Sequence, residues 1–190
     1  MIFMLKTNYA CVYGGANERI ADSIKQEIHK LGNIIADCGF SLVYGAGSTG
    51  SMGAVARGVR EKGGLVKGVV PHFIINKFER AFDCDELIVV DDMSERKLIM
   101  ENDADIFFIA PGGIGTFDEF FQILTLKYLG QMETPIVVLN LEGFYDYLLA
   151  FIDDNIARGA ATEQIKTYFD VVTAVDDPVV TDYLKNIARR

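Results

Sequence analysis

The sequence is poor in the side chains that hold transition metals. It has only two histidines, and its three cysteines, Cys11, Cys38 and Cys84, are far apart and form no CxxC motif. We therefore expect no histidine-rich zinc or iron centre and no bound metal. An odd number of scattered cysteines favours reduced thiols, which predicts a cytoplasmic protein.

Basic residues are also scarce. The chain carries 18 lysines and arginines against 27 acids, a net charge of −9. Because phosphate polymers and acidic membranes are held mainly by Lys and Arg, we expect neither nucleic acid nor membrane as a partner. One small phosphate is still compatible with this charge, since backbone amides bind it without cations. No run approaches the roughly 18 apolar residues of a membrane helix, and the N-terminus lacks the pattern of a signal peptide.

Short apolar runs alternate with longer amphipathic stretches along the 190 residues. The strand candidates are 9–13, 40–44, 65–70, 86–90, 105–110 and 135–140, with a weaker one at 169–175. The helix candidates are 18–37, 51–62, 93–103, 116–129 and 144–157, with a weaker one at 178–189. This alternation predicts one α/β domain spanning residues 1–190, a Rossmann-like doubly wound parallel sheet with helices on both faces.

Three predicted strands end in glycine-rich turns, at Gly14-Gly15, from Gly45 to Gly53 and from Gly112 to Gly115. In open α/β sheets, ligands bind outside the carboxyl ends of the strands where the strand order reverses. We therefore expect the three turns to meet in one crevice.

The second turn contains Gly45-x-Gly47-x-x-Gly50, the spacing of a dinucleotide fingerprint between a strand and a helix. That fingerprint expects an acid at the end of the next strand, where this chain reads VVPHF. A nicotinamide dehydrogenase is disfavoured. Two interpretations of this turn remain: it binds a mononucleotide or sugar phosphate, or it is a tight turn that binds no ligand.

Two cations, Arg96 and Lys97, follow Asp92 at the start of a predicted helix. They are either part of a solvated face, with Asp92 and Glu95 as a capping box and Lys97 pairing with Glu101, or partners of an anion. Cations near a helix N-terminus oppose its dipole by about 0.3–1 kcal/mol each, which favours a partner.

The third turn reads PGGIGTFDE, from Pro111 to Glu119. Its glycines favour a cradle for an anion at a helix N-terminus, because a ligand can then approach the backbone closely. The alternative is structural: Thr116 and Glu119 have the spacing of a capping box.

These segments together resemble the Lonely Guy (LOG) family of cytokinin-activating phosphoribohydrolases, whose members were often labelled "possible lysine decarboxylase". The resemblance rests on PGGIGTFDE and on ERK within DMSERKLIM, and it extends from about residue 10 to residue 150. It implies a homodimer that hydrolyses nucleoside 5′-monophosphates, with N6-modified adenine favoured, to free base and ribose 5-phosphate.

The resemblance also implies the site residues. Arg96 and Glu119 would be catalytic. The residues expected to bind phosphate or other parts of the substrate are Gly112, Gly113, Gly115, Thr116, Lys97, Gly45, Gly47 and Met93. Three features depart from the family pattern. Ser94 stands where many members have His, and Asp118 replaces the first Glu of a common Glu-Glu pair. The first turn reads YGGANE where better-known members have a turn of the Cys-Gly-Ser-Ser type.

Two other functions are compatible with the sequence. One is a general nucleosidase acting on AMP or other ordinary nucleotides, and the other is a nucleotide-binding module without catalysis. Decarboxylation is not expected, because no lysine stands in a setting typical of a Schiff base with pyridoxal phosphate, and we predict no cofactor.

Overall fold

Seven parallel strands form one sheet in the computed structural model, which describes residues 7–78 and 84–189, without the side chains of 76–78. The strands are β1 (Tyr9–Tyr13), β2 (Ser41–Tyr44), β3 (Val66–Pro71), β4 (Glu86–Val90), β5 (Ile106–Ile109), β6 (Ile136–Leu139) and β7 (Asp170–Val172).

The same described ranges contain seven α-helices and two short 3-10 turns. The helices are α1 (Asp22–Asp37), α2 (Gly50–Glu61), α3 (His72–Phe78), α4 (Met93–Asp103), α5 (Ile114–Tyr128), α6 (Asp146–Ala157) and α7 (Pro178–Ala188). The 3-10 turns are Leu141–Gly143 and Glu163–Thr167. None of these helices is long and apolar enough to cross a membrane.

The strand order is β4-β3-β2-β1-β5-β6-β7, and every neighbouring pair is parallel. The order reverses between β1 and β5, so the crevice of a doubly wound sheet lies where these two strands end.

Side chains of alternate residues along each strand enter two separate cores. On β1, Ala10 and Val12 face the core that α1, α2 and α7 cover, whereas Cys11 and Tyr13 face the core that α4, α5 and α6 cover. Helices thus lie on both faces, and the predicted fold class is confirmed. The strands are buried on both sides, which explains their continuous apolar runs.

The predicted elements are present, with ends that shift by up to four residues. Helix α5 begins at Ile114 rather than at 116, and α1 begins at Asp22 rather than at 18. Helix α3 was not predicted. It directly follows Pro71 of β3 and has seven residues, too few to display a helical period.

Candidate active site

The three glycine-rich turns meet at the end of β1, as predicted. The Gly15 N–H donates to the Pro111 carbonyl (3.2 Å), and the Ser51 hydroxyl donates to the same carbonyl (2.7 Å). The Met52 N–H donates to the Gly15 carbonyl (3.1 Å). The turns after β1, β2 and β5 therefore form one connected backbone unit at the point where the strand order reverses.

Several glycines are required because these turns touch through their backbones. A Cβ atom at Gly15 would lie 3.0 Å from the Gly112 Cα, and one at Gly112 would lie 2.2 Å from the Thr116 hydroxyl. Gly50 has a φ of +59°, and its Cβ would lie 2.6 Å from the Gly15 carbonyl oxygen. A side chain at any of these positions would separate the turns.

The N-terminus of α5 opens onto this unit. The helix begins at Ile114 with Gly113 as its N-cap, and no side chain caps it. Cβ atoms added at Gly113 and Gly115 would meet nothing within 4 Å, so the backbone there is accessible. Free amides and the helix dipole make such a terminus a binding site for an anion.

The capping box considered for this turn is wrong. Since the helix starts two residues before Thr116, that side chain lies inside the first turn and is buried against Gly112. Glu119 does not fold back onto the backbone but pairs with a side chain of α4.

Arg96 and Glu119 form a buried ion pair between α4 and α5. The Arg96 Nη1 donates to the Glu119 Oε1 at 2.6 Å, and only 7% of Arg96 and 4% of Glu119 are exposed. The Arg96 Nε donates to the Val69 carbonyl of β3 (3.0 Å), which fixes the guanidinium over the carboxyl edge of the sheet. Because Arg96 is buried, it is not part of a solvated face.

Burial raises the pKa of the Glu119 carboxyl above its ordinary value, and the Arg96 guanidinium opposes this shift. Asp118, the neighbouring acid, adds to the increase in the pKa. A carboxyl with these surroundings can exchange a proton closer to neutral pH than an exposed one does.

The second glycine turn makes room for protein side chains. A Cβ atom at Gly45 would lie 1.9 Å from the Arg96 Nη2, and one at Gly47 would lie 2.4 Å from the Met52 Cε. Gly45 is thus required by the buried arginine. The predicted contacts of Gly45 and Gly47 with a substrate stay predictions.

The start of α4 confirms one predicted contact and corrects another. Asp92 is the N-cap, with its carboxylate accepting from the amides of Ser94 (2.7 Å) and Glu95 (2.9 Å), which is one half of the predicted capping box. The other half differs, because the Glu95 carboxylate accepts from the Asp91 N–H (3.0 Å) rather than from that of Asp92. Lys97 pairs with Asp118 of α5 at 2.9 Å instead of with Glu101, because Asp118 faces it across the helix contact. Met93, the first residue of α4, is partly buried.

Tyr145 reaches the site but was not predicted. It lies just before α6, is 1% exposed, and its hydroxyl donates to the Ala110 carbonyl at 2.6 Å. Its distance from Ala110 in the sequence hides this contact. The only signal was an aromatic residue after the apolar strand β6.

The site has no donor set for a metal ion in the part of the chain that the structure describes, where no group of three or more His, Cys, Asp or Glu side chains could hold one. It combines an open helix N-terminus with a buried acid-base pair at one edge of the sheet.

The fold and this site place the protein among Rossmann-like α/β proteins. The molybdenum cofactor carrier protein from Chlamydomonas reinhardtii has the same fold, with a TM-score of 0.70 over 97% of this chain and 99% of that one, at 22% identity. A family profile described as "Possible lysine decarboxylase" matches residues 52–181.

Relatives with higher identity carry a different description. This chain is 39% identical, over 84% of its length and 81% of the relative's, to a cytokinin riboside 5′-monophosphate phosphoribohydrolase from Mycobacterium tuberculosis. It is 36% identical to the phosphoribohydrolase LOG5 from Arabidopsis thaliana, over 78% of this chain and 65% of that one. The chain belongs to the possible lysine decarboxylase family, also called the LOG family.

The ion pair yields a stability prediction. Arg96→Met leaves the Glu119 carboxylate buried without a partner, which we expect to cost about 3–5 kcal/mol of unfolding free energy at neutral pH. Because the folded-state pKa of Glu119 is raised, the carboxyl takes up a proton as the pH falls through that pKa, and the cost should shrink. Urea unfolding at neutral and at acid pH measures both effects.

Two variants control this experiment. Lys97→Met removes the neighbouring, more exposed pair and should cost less than about 1 kcal/mol. The double variant Arg96→Met/Glu119→Leu should recover most of the stability lost by the single change. An Arg96→Met cost equal to that of Lys97→Met would contradict the expected penalty for an unpaired buried carboxylate.

Proposed function

We propose that this protein hydrolyses the N-glycosidic bond of an N6-modified adenosine 5′-monophosphate to free base and ribose 5-phosphate. The observation that carries the proposal is the buried Arg96–Glu119 pair beside the open N-terminus of α5. The names of the relatives, which act on cytokinin riboside 5′-monophosphates, support the substrate class.

The two parts of the site suit the two ends of this substrate. The phosphate binds at the first turn of α5, where Gly113 and Gly115 leave the amides accessible. Glu119 lies about a turn further along the helix and acts on the ribose end. Gly112, Thr116, Lys97 and Met93 complete the proposed contacts with the nucleotide.

The reaction needs charge stabilisation at the sugar. As the bond between C1′ and the base nitrogen breaks, its electrons leave with the base and C1′ becomes positive. The Glu119 carboxylate stabilises this charge and takes a proton from the water that bonds to C1′. The departing base gains a proton, so that one water molecule is consumed.

A single buried acid favours direct attack by water. Glu119 is the one buried carboxylate in the described ranges. A double displacement through a covalent glycosyl-enzyme requires two carboxyl groups about 5–5.5 Å apart. The neighbouring acid, Asp118, is occupied by Lys97 and lies on the exposed side of the helix.

The substrate assignment is tested with a panel of nucleotides. We expect ribose 5-phosphate release from N6-isopentenyl-AMP at a higher kcat/KM than from AMP, GMP or CMP. Equal rates for AMP and the isopentenyl nucleotide would indicate a general nucleosidase. No release from any nucleotide, with binding retained, would indicate a binding module.

The role of Glu119 is tested by Glu119→Gln. This variant should bind nucleotide but lose hydrolysis by about 10²-fold or more, the range for a general acid-base group. Asp118→Asn is the matched control, because it changes the adjacent carboxyl that faces Lys97, and it should keep most of the activity. Near-normal turnover by Glu119→Gln would end the assignment.

We further propose that residues 1–190 act as one cytoplasmic nucleotide-binding domain and assemble as a homodimer. The outer faces of α4 and α5 expose apolar side chains, with Leu98 56%, Phe121 36% and Tyr128 49% exposed. A second copy covering these side chains would remove them from water.

Light scattering after size-exclusion chromatography tests the dimer. We expect twice the 21.0 kDa mass of one chain. The double variant Leu98→Glu/Phe121→Glu should run as a monomer, since paired copies would bury four added charges. Tyr147→Glu, at an exposed position of α6, should stay dimeric. Dissociation by Tyr147→Glu alone would move the interface to α6.

A further inference from the structure

The connection between β6 and α6 contains a buried polar chain that ends on the glycine-rich turn after β5. Asn140 is 7% exposed, and its backbone N–H donates to the Val172 carbonyl of β7 (2.8 Å). Its Oδ1 accepts the Tyr145 N–H at 2.7 Å, and its Nδ2 donates to the Asp146 Oδ1 at 2.8 Å. Asn140 thereby ties the start of α6 to the sheet.

The ring of Tyr145 is also held in place by contacts. It makes edge-on contacts with Phe117 of α5, at 6.2 Å between ring centroids, and with Phe144, at 5.0 Å. Its hydroxyl donates to the Ala110 carbonyl at 2.6 Å. Burial raises the pKa of the Tyr145 hydroxyl, and a hydrogen bond from the Gly112 backbone opposes this shift. The hydroxyl is therefore tied to the backbone just before Pro111.

The turn is held from the opposite side by a second hydroxyl. Ser51 of α2 is fully buried and donates to the Pro111 carbonyl, while Tyr145 serves the carbonyl one residue earlier. Both bonded carbonyls lie just beyond the last residue of β5, Ile109, and are not used in the pairing with β6. The two hydroxyls thus bond carbonyls that the pairing of β5 with β6 leaves free, and they add to two backbone bonds with β1 and its turn, from the Ala110 N–H to the Tyr13 carbonyl (2.8 Å) and from the Gly15 N–H to the Pro111 carbonyl.

We propose that Tyr145 is a positioning residue for phosphate binding: through its hydroxyl it holds the Ala110–Gly112 backbone so that the first turn of α5 faces the anion. Gly112 and Gly113 gain conformational freedom if this bond is lost, because glycine backbone is permissive. Tyr145 does not itself contact the substrate. That the anion is the phosphate of a nucleotide rests on the proposed function.

Tyr145→Phe tests this role, since it removes the hydroxyl and keeps the ring contacts. By isothermal titration calorimetry we expect the Kd of ribose 5-phosphate to rise roughly three- to tenfold, the change that corresponds to one net hydrogen bond. The Kd of free adenine should not change. In the hydrolysis assay the KM for the 5′-monophosphate should rise by a similar factor, with kcat within about twofold, because the phosphate end acts mainly through uniform binding.

Tyr147→Phe is the matched control, because this tyrosine lies only two residues further along, in the first turn of α6, is 92% exposed and should leave every value unchanged. A second variant, Asn140→Ala, releases the Tyr145 backbone and should raise the same Kd. Folded fractions from circular dichroism are measured first, so that every Kd is referred to folded protein. A purely structural role would lower the melting temperature without changing the Kd of ribose 5-phosphate.

The outcomes separate this inference from the proposed reaction. If the wild type binds ribose 5-phosphate but hydrolyses no nucleotide, the reaction is wrong and the Kd of Tyr145→Phe still tests the positioning role. A Kd equal to that of the wild type in both Tyr145→Phe and Asn140→Ala would overturn the inference. So would failure of the wild type to bind ribose 5-phosphate at all.

Discussion

The buried pair of Arg96 and Glu119 is the interaction on which the arrangement of the site depends. A charge at either position would be costly alone, so each requires the other. The pair in turn fixes its surroundings: Gly45 has to lack a side chain because the guanidinium lies against its backbone, and the Val69 carbonyl supplies the second bond of the arginine. One ion pair thus connects the ends of β2 and β3 with α4 and α5.

The position of this pair follows from the topology. Helices α4 and α5 begin after β4 and β5, and both therefore start at the carboxyl edge of a parallel sheet. Their first two turns carry side chains of opposite charge in register, with Arg96 and Lys97 facing Glu119 and Asp118. The cations that oppose the dipole of α4 are stabilised by the carboxylates of α5. In the same register the Glu119 side chain faces inward, whereas the Asp118 side chain is about half exposed.

The sequence predicts the layers of this molecule more readily than its contacts. Buried parallel strands are continuous apolar runs, and glycines after a strand mark a turn where backbones touch, so the fold and the meeting of the turns were predictable. The partner of Glu119 was not predictable, because the spacing from Thr116 to Glu119 also fits a capping box. Which contact Glu119 makes depends on Arg96, a residue 23 positions away in the sequence. The role of Tyr145 was not predictable for the same reason, since its hydroxyl donates to a carbonyl 35 residues earlier in the sequence.

The neutrality of the Arg96–Glu119 pair has a consequence for how an anion is recognised. The chain as a whole is acidic, and the one buried guanidinium in the described ranges is already compensated by a carboxylate. An anion at the N-terminus of α5 would therefore be attracted mainly by backbone amides and by the helix dipole. The effect of the dipole falls off within the first turn, so this attraction is short in range. At the proposed phosphate site, selection would therefore depend on shape at contact, and the long-range field is that of the net charge of −9, which repels anions and which added salt screens.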